Sequence, residues 1–379
     1  MPLLFRSLLA GAALCACPAA AEEAPSTTIS GVTVTGGADP AAPEPLSVAT
    51  VGADQITRTI NVVTVEDALK YLPNILARRR HIGDTQAPIT TRTSGVGASA
   101  RSLIYADGVL LSALIGNNNS AASPRWGMVS PQEVQRIAVR YGPFSAAYPG
   151  NSIGAVVEIT TRRPDRFEAE VKATAGGQGF SHYGHGAGYP TYQAQASLGD
   201  RRGPVWWRLS ASHLDTEGQP LSYVTALRPA APSAAGQAVT GALADRNRLG
   251  APIAVLGAGG LEHQVQDNAK LKLGWDINPR LRASYLVGSF RQDDDARVES
   301  YLKDAAGAPA YAGTLNIAGY AYPVAPGAFA SGLYRLEETH WMHALSLAGE
   351  PGASFSWQAT ATLYDYATDR QRMPSALPG

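Results

Sequence analysis

Polar and apolar residues alternate with a period of two along much of the second half of the chain. The alternation is clearest in residues 205–212, 268–276 and 354–363. Weaker versions occupy residues 168–175, 192–198, 281–289 and 341–347. Because successive side chains of a strand point to opposite faces, the pattern predicts seven strands with one apolar and one polar face.

The connections between these segments alternate in length. Tight turns are expected at residues 200–203, 278–280 and 349–352, and long loops at residues 176–188, 214–264 and 291–337. Short turns on one side and long loops on the other are typical of antiparallel barrels in outer membranes. Seven strands do not close around an enclosed domain, since such barrels have roughly 22. We therefore expect residues 162–379 to be the N-terminal part of a β-barrel, incomplete in this chain.

Residues 46–161 have the pattern of a small α/β domain. A strand is predicted at residues 48–51 and a helix at residues 64–72, capped by Thr64 with Asp67 and ended by Pro73. An apolar strand over residues 101–109 contains an Asp107–Gly108 turn. Two further β-prone runs, 137–141 and 156–161, enclose a Tyr-Gly-Pro turn and a Pro-Gly-Asn turn.

The N-terminus predicts export. Residues 1–21 combine Arg6, an apolar run and a small-residue cleavage site before Glu22, which is typical of a signal peptide. Cleavage there would remove both cysteines; a lipoprotein site at Cys17 is the alternative. Residues 22–45 are rich in Ala, Pro, Ser, Thr and Gly and predict a flexible tail.

One β-prone island interrupts the tail. Its residues are Thr28, Ile29, Ser30, Gly31, Val32, Thr33, Val34 and Thr35. A segment of this kind can add a strand to the sheet edge of a partner protein. The alternative is an ordinary first strand of the following domain.

Charge and motifs exclude several function classes. The 31 basic residues balance the 31 acidic ones, so no basic surface indicates nucleic-acid binding. The Gly-x-Ser-x-Gly pattern at residues 150–154 lacks the strand-turn-helix context of a hydrolase, because a turn precedes it and a strand follows. No catalytic residue, cofactor or metal site is predicted.

Two groups of residues are candidates for ligand binding. Their members are Asn117, Asn118, Asn119, Arg125 and Trp126 in one group, and His182 and His185 in the other. Amides beside a cation and an aromatic ring suit an oxygen-rich ligand, with a solvated loop as the alternative. The two histidines lack acidic or sulfur partners, and a flexible glycine-rich loop is their alternative. His340 and His343 are predicted to face opposite sides of one strand and so cannot share an ion.

The ordered motifs of residues 46–161, above all the run from Ile137 to Thr161, resemble the plug domain of TonB-dependent outer-membrane receptors. The resemblance covers nearly all of this chain but only the first half of a typical receptor. It implies an α/β plug domain followed by antiparallel transmembrane β-barrel strands. Tyr141 and Ala138 depart from the Arg and Glu usual at those positions, which leaves open how the plug is latched in its barrel.

The resemblance also implies a function. It identifies Thr28–Thr35 as a TonB box, with the energy-coupling protein TonB, outer-membrane lipid and a small-molecule or metal-chelate ligand as partners. The expected activity is energised uptake of a nutrient, a ferric siderophore first, with haem, cobalamin, copper and oligosaccharide as alternatives. A signal transducer, or a truncated receptor that acts only as a ligand-binding plug, is the alternative to a transporter. No enzymatic activity is implied.

Overall fold

The structure is a computed structural model, and it describes residues 47–93, 95, 101–112, 124–142, 148, 152–352 and 355–375. These residues all belong to one compact unit, Val34–Gly379. The predicted signal peptide, tail and TonB box, and the predicted ligand residues Asn117, Asn118 and Asn119, lie outside the described residues.

The first part of the chain, which we call the N-terminal domain, contains a five-stranded sheet of order β1-β6-β7-β4-β5 and a separate β2-β3 pair. Its elements are β1 (Ser47–Gly52), α1 (Ala53–Thr59), β2 (Ile75–Ala77), β3 (Ile89–Thr91), β4 (Leu103–Ala106), β5 (Val109–Leu110), β6 (Val134–Tyr141) and β7 (Ala155–Thr161), with 3₁₀ turns at Val65–Leu69, Trp126–Met128 and Pro131–Glu133. Leu103, Val139 and Val156 on the central strands are fully buried. The sheet and its apolar core hold the connecting segments in place.

The predicted helix over residues 64–72 is wrong in type and length. The capping box between Thr64 and Asp67 is confirmed, but it begins a 3₁₀ turn, Val65–Leu69. The Lys70 N–H donates to the Asp67 carbonyl, and the Leu72 N–H to the Leu69 carbonyl. Such i to i+3 bonds fit the short span between the cap and Pro73, where an α-helix has no room to propagate.

The rest of the chain forms a nine-stranded antiparallel sheet, which we call the wall sheet, and a small accessory sheet. The elements are β8 (Glu168–His182), β9 (His185–Arg202), β10 (Val205–Glu217), β11 (Ser222–Leu227), β12 (Gln237–Ala238), β13 (Leu243–Arg246), β14 (Pro252–Asn278), β15 (Leu281–Ser300), β16 (Gly313–Ile317), β17 (Tyr320–Val324), β18 (Tyr334–Gly352) and β19 (Phe355–Arg372), with a 3₁₀ turn at Ala330–Gly332.

The main path of the wall sheet is β19-β18-β15-β14-β10-β9-β8, and the short strands β11 and β13 pair with β14. Each of its seven long strands contains one of the seven predicted segments. The predicted fold class, an α/β domain followed by antiparallel barrel-type strands, is therefore confirmed. Among the described residues the sheet is open, with β19 and β8 at its edges.

The strands are longer than their apolar alternation predicted. The long loop expected at residues 176–188 is wrong: β8 and β9 continue to a two-residue turn at Tyr183 and Gly184, whose φ angles of 53° and 74° are those of a tight hairpin turn. The other two long loops are also shorter than expected, because β10, β14, β15 and β18 extend into them. There the outward face carries polar pairs such as Asp215–His263, 2.9 Å apart, so the pleat continues after the apolar signal has ended.

What remains of the two longer connections packs together. β12, β16 and β17 form a three-stranded sheet. Leu256, Leu302, Leu315 and Phe329 are buried in a shared apolar core with it. Tyr322 of β17 is only 4% exposed and packs in the same core. These connections therefore form a folded module.

The two faces of the wall sheet differ, most clearly on β14. On β14, Leu273, Trp275 and Ile277 point outward and are at least partly exposed, while the alternate residues are buried or half-buried on the inner face. From Ala269 to Ile277 the outward residues are apolar, a span of ~27 Å along the strand and ~20 Å after the tilt of ~40° usual in barrels. That approaches the ~25 Å apolar band of outer-membrane barrels. None of the described helices has the length and apolarity to cross a bilayer.

Candidate functional site

The N-terminal domain lies against the inner face of the wall sheet, and β14 provides much of the contact. Five inward residues of β14 bond to the N-terminal domain: Glu262, Gln266, Asn268, Lys270 and Lys272. The Gln266 Nε2 donates to the Gly83 carbonyl at 2.8 Å and the Asn268 Nδ2 to the Gly127 carbonyl at 2.7 Å. The two-residue pleat of one strand thus places a row of polar groups along the domain.

Two lysines of this row form ion pairs. The Lys270 Nζ lies 2.9 Å from the Glu133 Oε2, and both side chains are 3% exposed. The Lys272 Nζ lies 2.9 Å from the Asp107 Oδ2 and 2.8 Å from the Thr161 hydroxyl. Burial raises the pKa of Asp107, but Lys272 and Thr161 lower it by more, so the net pKa lies below its usual range. The carboxylate of Asp107 is therefore held charged.

The other end of the row is a buried charge cluster around Glu262. The Glu262 Oε2 lies 2.6 Å from the His81 Nε2, and its Oε1 lies 2.9 Å from the Arg80 Nη1. Arg80 also binds Asp84 at 2.7 Å, and the Tyr334 hydroxyl donates to Glu262. Arg80 and His81 of the N-terminal domain thus both bind the Glu262 carboxylate of the wall sheet through charge-assisted hydrogen bonds.

The protonation of His81 follows from its neighbours. Its Nδ1 lies 3.0 Å from the Ile82 carbonyl, which can only accept a hydrogen bond, while its Nε2 faces the Glu262 carboxylate. Burial lowers the pKa of His81, but Glu262 and Asp84 raise it by more, so the net pKa is raised. The ring is therefore held as an imidazolium, with both nitrogens donating.

Arg125, a predicted ligand residue, joins the domain to two strands of the wall sheet. Its Nη1 donates to the Glu338 Oε1 on β18 at 3.1 Å and its Nη2 to the Asp369 Oδ2 on β19 at 2.8 Å. The guanidinium also lies over the Tyr366 ring, 5.1 Å from its centroid. Trp126, the adjacent candidate, is 3% exposed, and its Nε1 donates to the Ala87 carbonyl at 2.9 Å.

The predicted pair His182 and His185 lies elsewhere. The two residues face each other across the last rung of the β8-β9 hairpin. His185 stacks on Tyr301 with ring centroids 3.7 Å apart, and His182 packs edge-on against Tyr223 at 5.3 Å. The contacts of the described residues thus place Arg125 and Trp126 in one location and the two histidines in another.

The positions that depart from the family pattern are bonded within the N-terminal domain. Arg140 pairs with Glu158 at 3.0 Å, and the Tyr141 hydroxyl donates to the Pro73 carbonyl. Ala138 is buried opposite Glu158 in the β6-β7 ladder. The described latches to the wall sheet come instead from Arg80, His81, Asp107, Arg125 and Glu133, which sequence reasoning did not identify as a set.

The site can therefore bind one domain to another through bonds that are buried yet polar. Such contacts exclude water when they are all made, and the loss of one partner leaves a buried charge unpaired. A row of discrete polar bonds holds the domain firmly against the wall sheet. This is the property that the described residues show most plainly.

The sequence of the N-terminal domain also matches a family model. Residues 40–156 match the TonB-dependent Receptor Plug Domain. No curated protein matches the sequence.

Solved structures with a similar fold include two receptors and one transporter. The ferric enterobactin receptor PfeA of Pseudomonas aeruginosa is 14% identical with a TM-score of 0.48, over 84% of this chain and 45% of its own. The copper transporter OprC is 11% identical with a TM-score of 0.47, over 84% of this chain and 37% of its own. The siderophore receptor PirA of Acinetobacter baumannii is 12% identical with a TM-score of 0.46, over 84% and 44%. The chain thus spans less than half the length of these structures.

Proposed function

This chain carries the plug domain of a TonB-dependent receptor, and from that premise we propose that it acts in the energised import of a nutrient across an outer membrane. The observation that carries the proposal is the attachment of the N-terminal domain to the inner face of the wall sheet through Glu262, Gln266, Asn268, Lys270 and Lys272. A domain held there would close a pore, and its discrete polar bonds could be broken one after another by a pull.

The pull would come from the periplasm through residues 28–35. This segment is short, rich in β-branched residues and set in an Ala- and Pro-rich tail, which suits strand addition to a partner's sheet edge. We propose that TonB is that partner. The tail would then lie in the periplasm, with the apolar outward band of the wall sheet in the lipid of the outer membrane.

For the cargo we propose a ferric siderophore, the class that the family resemblance implies. Haem, cobalamin, copper and oligosaccharides are the competing cargoes. The longer connections between the wall strands pack into a folded module with Phe329 fully buried. A rigid module of this kind would present a fixed surface to an approaching ligand.

The test is uptake of labelled cargo in a strain that expresses the full-length receptor gene. Iron chelates, haem, cobalamin, copper and glycans are offered to the wild type, to Val32→Pro and to Ala41→Pro. Proline at position 32 removes a backbone donor from the TonB box, whereas Ala41 lies in the tail beyond the box and next to Pro40. Surface binding of the cargo is measured in parallel with uptake.

We expect uptake of one cargo to be lost in V32P, with its surface binding retained, and to be unchanged in A41P. Uptake that persists in V32P would show that residues 28–35 are not the TonB box. No uptake of any cargo by the wild type would overturn the importer, and the transducer or binding-module alternatives would then be favoured.

A further inference from the structure

Three potential metal ligands meet on the inner face of the wall sheet beside Arg125. They are Glu338 and His340 of β18 and Asp369 of β19, and their ligand atoms all lie within 4.8 Å of one another. Glu338 and His340 are two residues apart and therefore share a face. Asp369 is the cross-strand neighbour of Glu338. The register of two strands thus assembles the group.

The imidazole of His340 has an unused nitrogen. The residue is 1% exposed, yet its Nε2 has no hydrogen-bond partner among the described residues. The Asp369 Oδ2 lies 3.6 Å away, too far for a hydrogen bond. A buried polar nitrogen without a partner carries a free-energy cost, so it indicates an interaction that the protein alone does not supply.

A neighbour orients the ring for such an interaction. The Tyr364 hydroxyl lies 3.3 Å from the His340 Nδ1. When the Nδ1–H donates to the tyrosine oxygen, the Nε2 lone pair points toward the two carboxylates. This arrangement, with one imidazole nitrogen hydrogen-bonded and the other free, is the usual one for a metal-ligating histidine.

A second group of three, His81, Asp84 and Glu262, provides a contrast. Both ring nitrogens of His81 are in hydrogen-bond contact, with Ile82 and with Glu262. The carboxylates of Asp84 and Glu262 are both bound by Arg80. That group has no free ligand atom on its imidazole, and it serves as a latch.

We propose that Glu338, His340 and Asp369 form a binding site for a divalent first-row transition-metal cation, such as Zn²⁺ or Co²⁺. One imidazole nitrogen with two carboxylates suits these borderline cations, whereas Mg²⁺ and Ca²⁺ prefer all-oxygen sites. Two carboxylates against the single charge of Arg125 leave one negative charge when His340 is neutral. A dication in place of the guanidinium satisfies both carboxylates.

The cation and Arg125 compete for the same oxygen atoms. Arg125 binds the Glu338 Oε1 and the Asp369 Oδ2, so a cation held by these carboxylates displaces its guanidinium. Arg125 belongs to the N-terminal domain, while the three ligands belong to the wall sheet. Occupation of the site therefore weakens one of the bonds that hold the domain against the wall.

The experiment is metal titration of the purified full-length receptor in detergent, independent of transport. Co²⁺ binding is followed by its visible absorption and Zn²⁺ binding by calorimetry, for the wild type, His340→Gln, Arg125→Gln and His343→Gln. His343 is the matched control, because it faces outward on the same strand and its Nδ1 lies 2.8 Å from the Tyr285 hydroxyl. Heat-modifiable gel migration checks that each variant is folded.

We expect H340Q to weaken binding at least ~10-fold, the lower bound seen when metal sites lose supporting groups, and H343Q to leave it unchanged. R125Q should tighten binding, because it removes the competitor, and a gain of affinity cannot arise from misfolding. Equal binding by wild type and H340Q, weaker binding by R125Q, or no binding by either wild type or R125Q would each overturn the site.

Discussion

The Nε2 of His81 in the N-terminal domain lies 2.6 Å from the Oε2 of Glu262 in the wall sheet, and neither side chain is exposed to solvent. Arg80 closes the same cluster by binding Glu262 and Asp84. The contact joins residues that are far apart in the sequence and that share no local motif. Because the contact depends on the charge of His81, its strength depends on pH.

The first prediction concerns this pH dependence. Since the net pKa of His81 is raised in the folded protein, its stabilisation is fully present below the unfolded value of ~6.5 and is lost as the pH rises through the folded value. We expect protease cleavage of residues 78–86 to increase as the pH rises across that window. Cleavage is measured with a protease whose own activity is corrected for pH.

His81→Gln provides the control. The glutamine amide does not titrate, so the variant should show a smaller rise in cleavage with pH than the wild type, and faster cleavage than the wild type at low pH. Asp84 does not confuse the result, because burial raises its pKa but Arg80 lowers it by more, which keeps it charged throughout. A wild type that is most resistant at high pH would contradict the imidazolium assignment.

The second prediction tests the close approach of the two parts. Gly127 faces the Phe290 ring, and a Cβ at this position would overlap that ring. Phe290 is 5% exposed on the wall sheet and has little room to move. We expect Gly127→Ala to lower the free energy of unfolding by ~1–3 kcal/mol, the cost of overpacking, measured by urea denaturation in detergent.

Gly52→Ala is the matched control in the same domain. A Cβ added at Gly52 meets no heavy atom within 4 Å, and its φ of −97° is open to any residue. The variant should therefore be nearly neutral. Equal stability of G127A and the wild type would mean that the domain does not approach β15 as closely as the structure shows.

The third prediction concerns the outward face. Leu209 of β10 is 47% exposed within the apolar band, whereas Asp215 of the same strand pairs with His263 at 2.9 Å beyond the band. Arginine at the midplane of a barrel costs ~2–4 kcal/mol, and near the interface ~0–1 kcal/mol. In lipid vesicles we expect Leu209→Arg to reduce the free energy of unfolding by the larger amount and Asp215→Arg by the smaller.

Both variants add an arginine to the outward face of the same strand, at two different depths. Folding is followed by tryptophan fluorescence during urea titration with preformed vesicles. Equal costs at the two positions would contradict the assignment of residues 269–277 and their neighbours to lipid.

The strands were predictable because their signal is local. Leu271 and Leu273 alternate with Lys270 and Lys272 in the printed sequence, and the pleat alone converts that pattern into an outer and an inner face. The same signal fails where outward residues such as His213 are polar. The ends of the strands were therefore misplaced and the short strands β11 and β13 were not predicted, although the seven long strands were.

The contacts of the inner face were not predictable in the same way. The alternation of residues 268–276 places Lys270 on the polar face, but its partner Glu133 is 137 residues away in a 3₁₀ turn. The sequence predicts Asp107 as a turn residue, and nothing in the neighbouring sequence indicates its ion pair with Lys272. Side chains that pair between two domains produce no periodic pattern in the sequence. Their partners can therefore be identified only in the folded structure.

The measurement that tests the central claim most directly is a double-mutant cycle on Lys270 and Glu133 in the full-length receptor. K270M and E133Q are combined, and the free energy of unfolding is measured by urea denaturation in detergent. E133Q keeps an oxygen for the Ser130 N–H that Glu133 caps. The two variants together therefore measure the coupling energy of the buried ion pair between the N-terminal domain and the wall sheet.

Each single variant leaves one buried charge unpaired and should lose ~3–5 kcal/mol, whereas the double variant should recover most of that loss. A strong coupling of this kind is expected only if the two side chains meet inside the barrel wall. Single losses that simply add in the double variant would show that Lys270 and Glu133 do not touch, and would contradict a plug held against its wall by buried polar bonds.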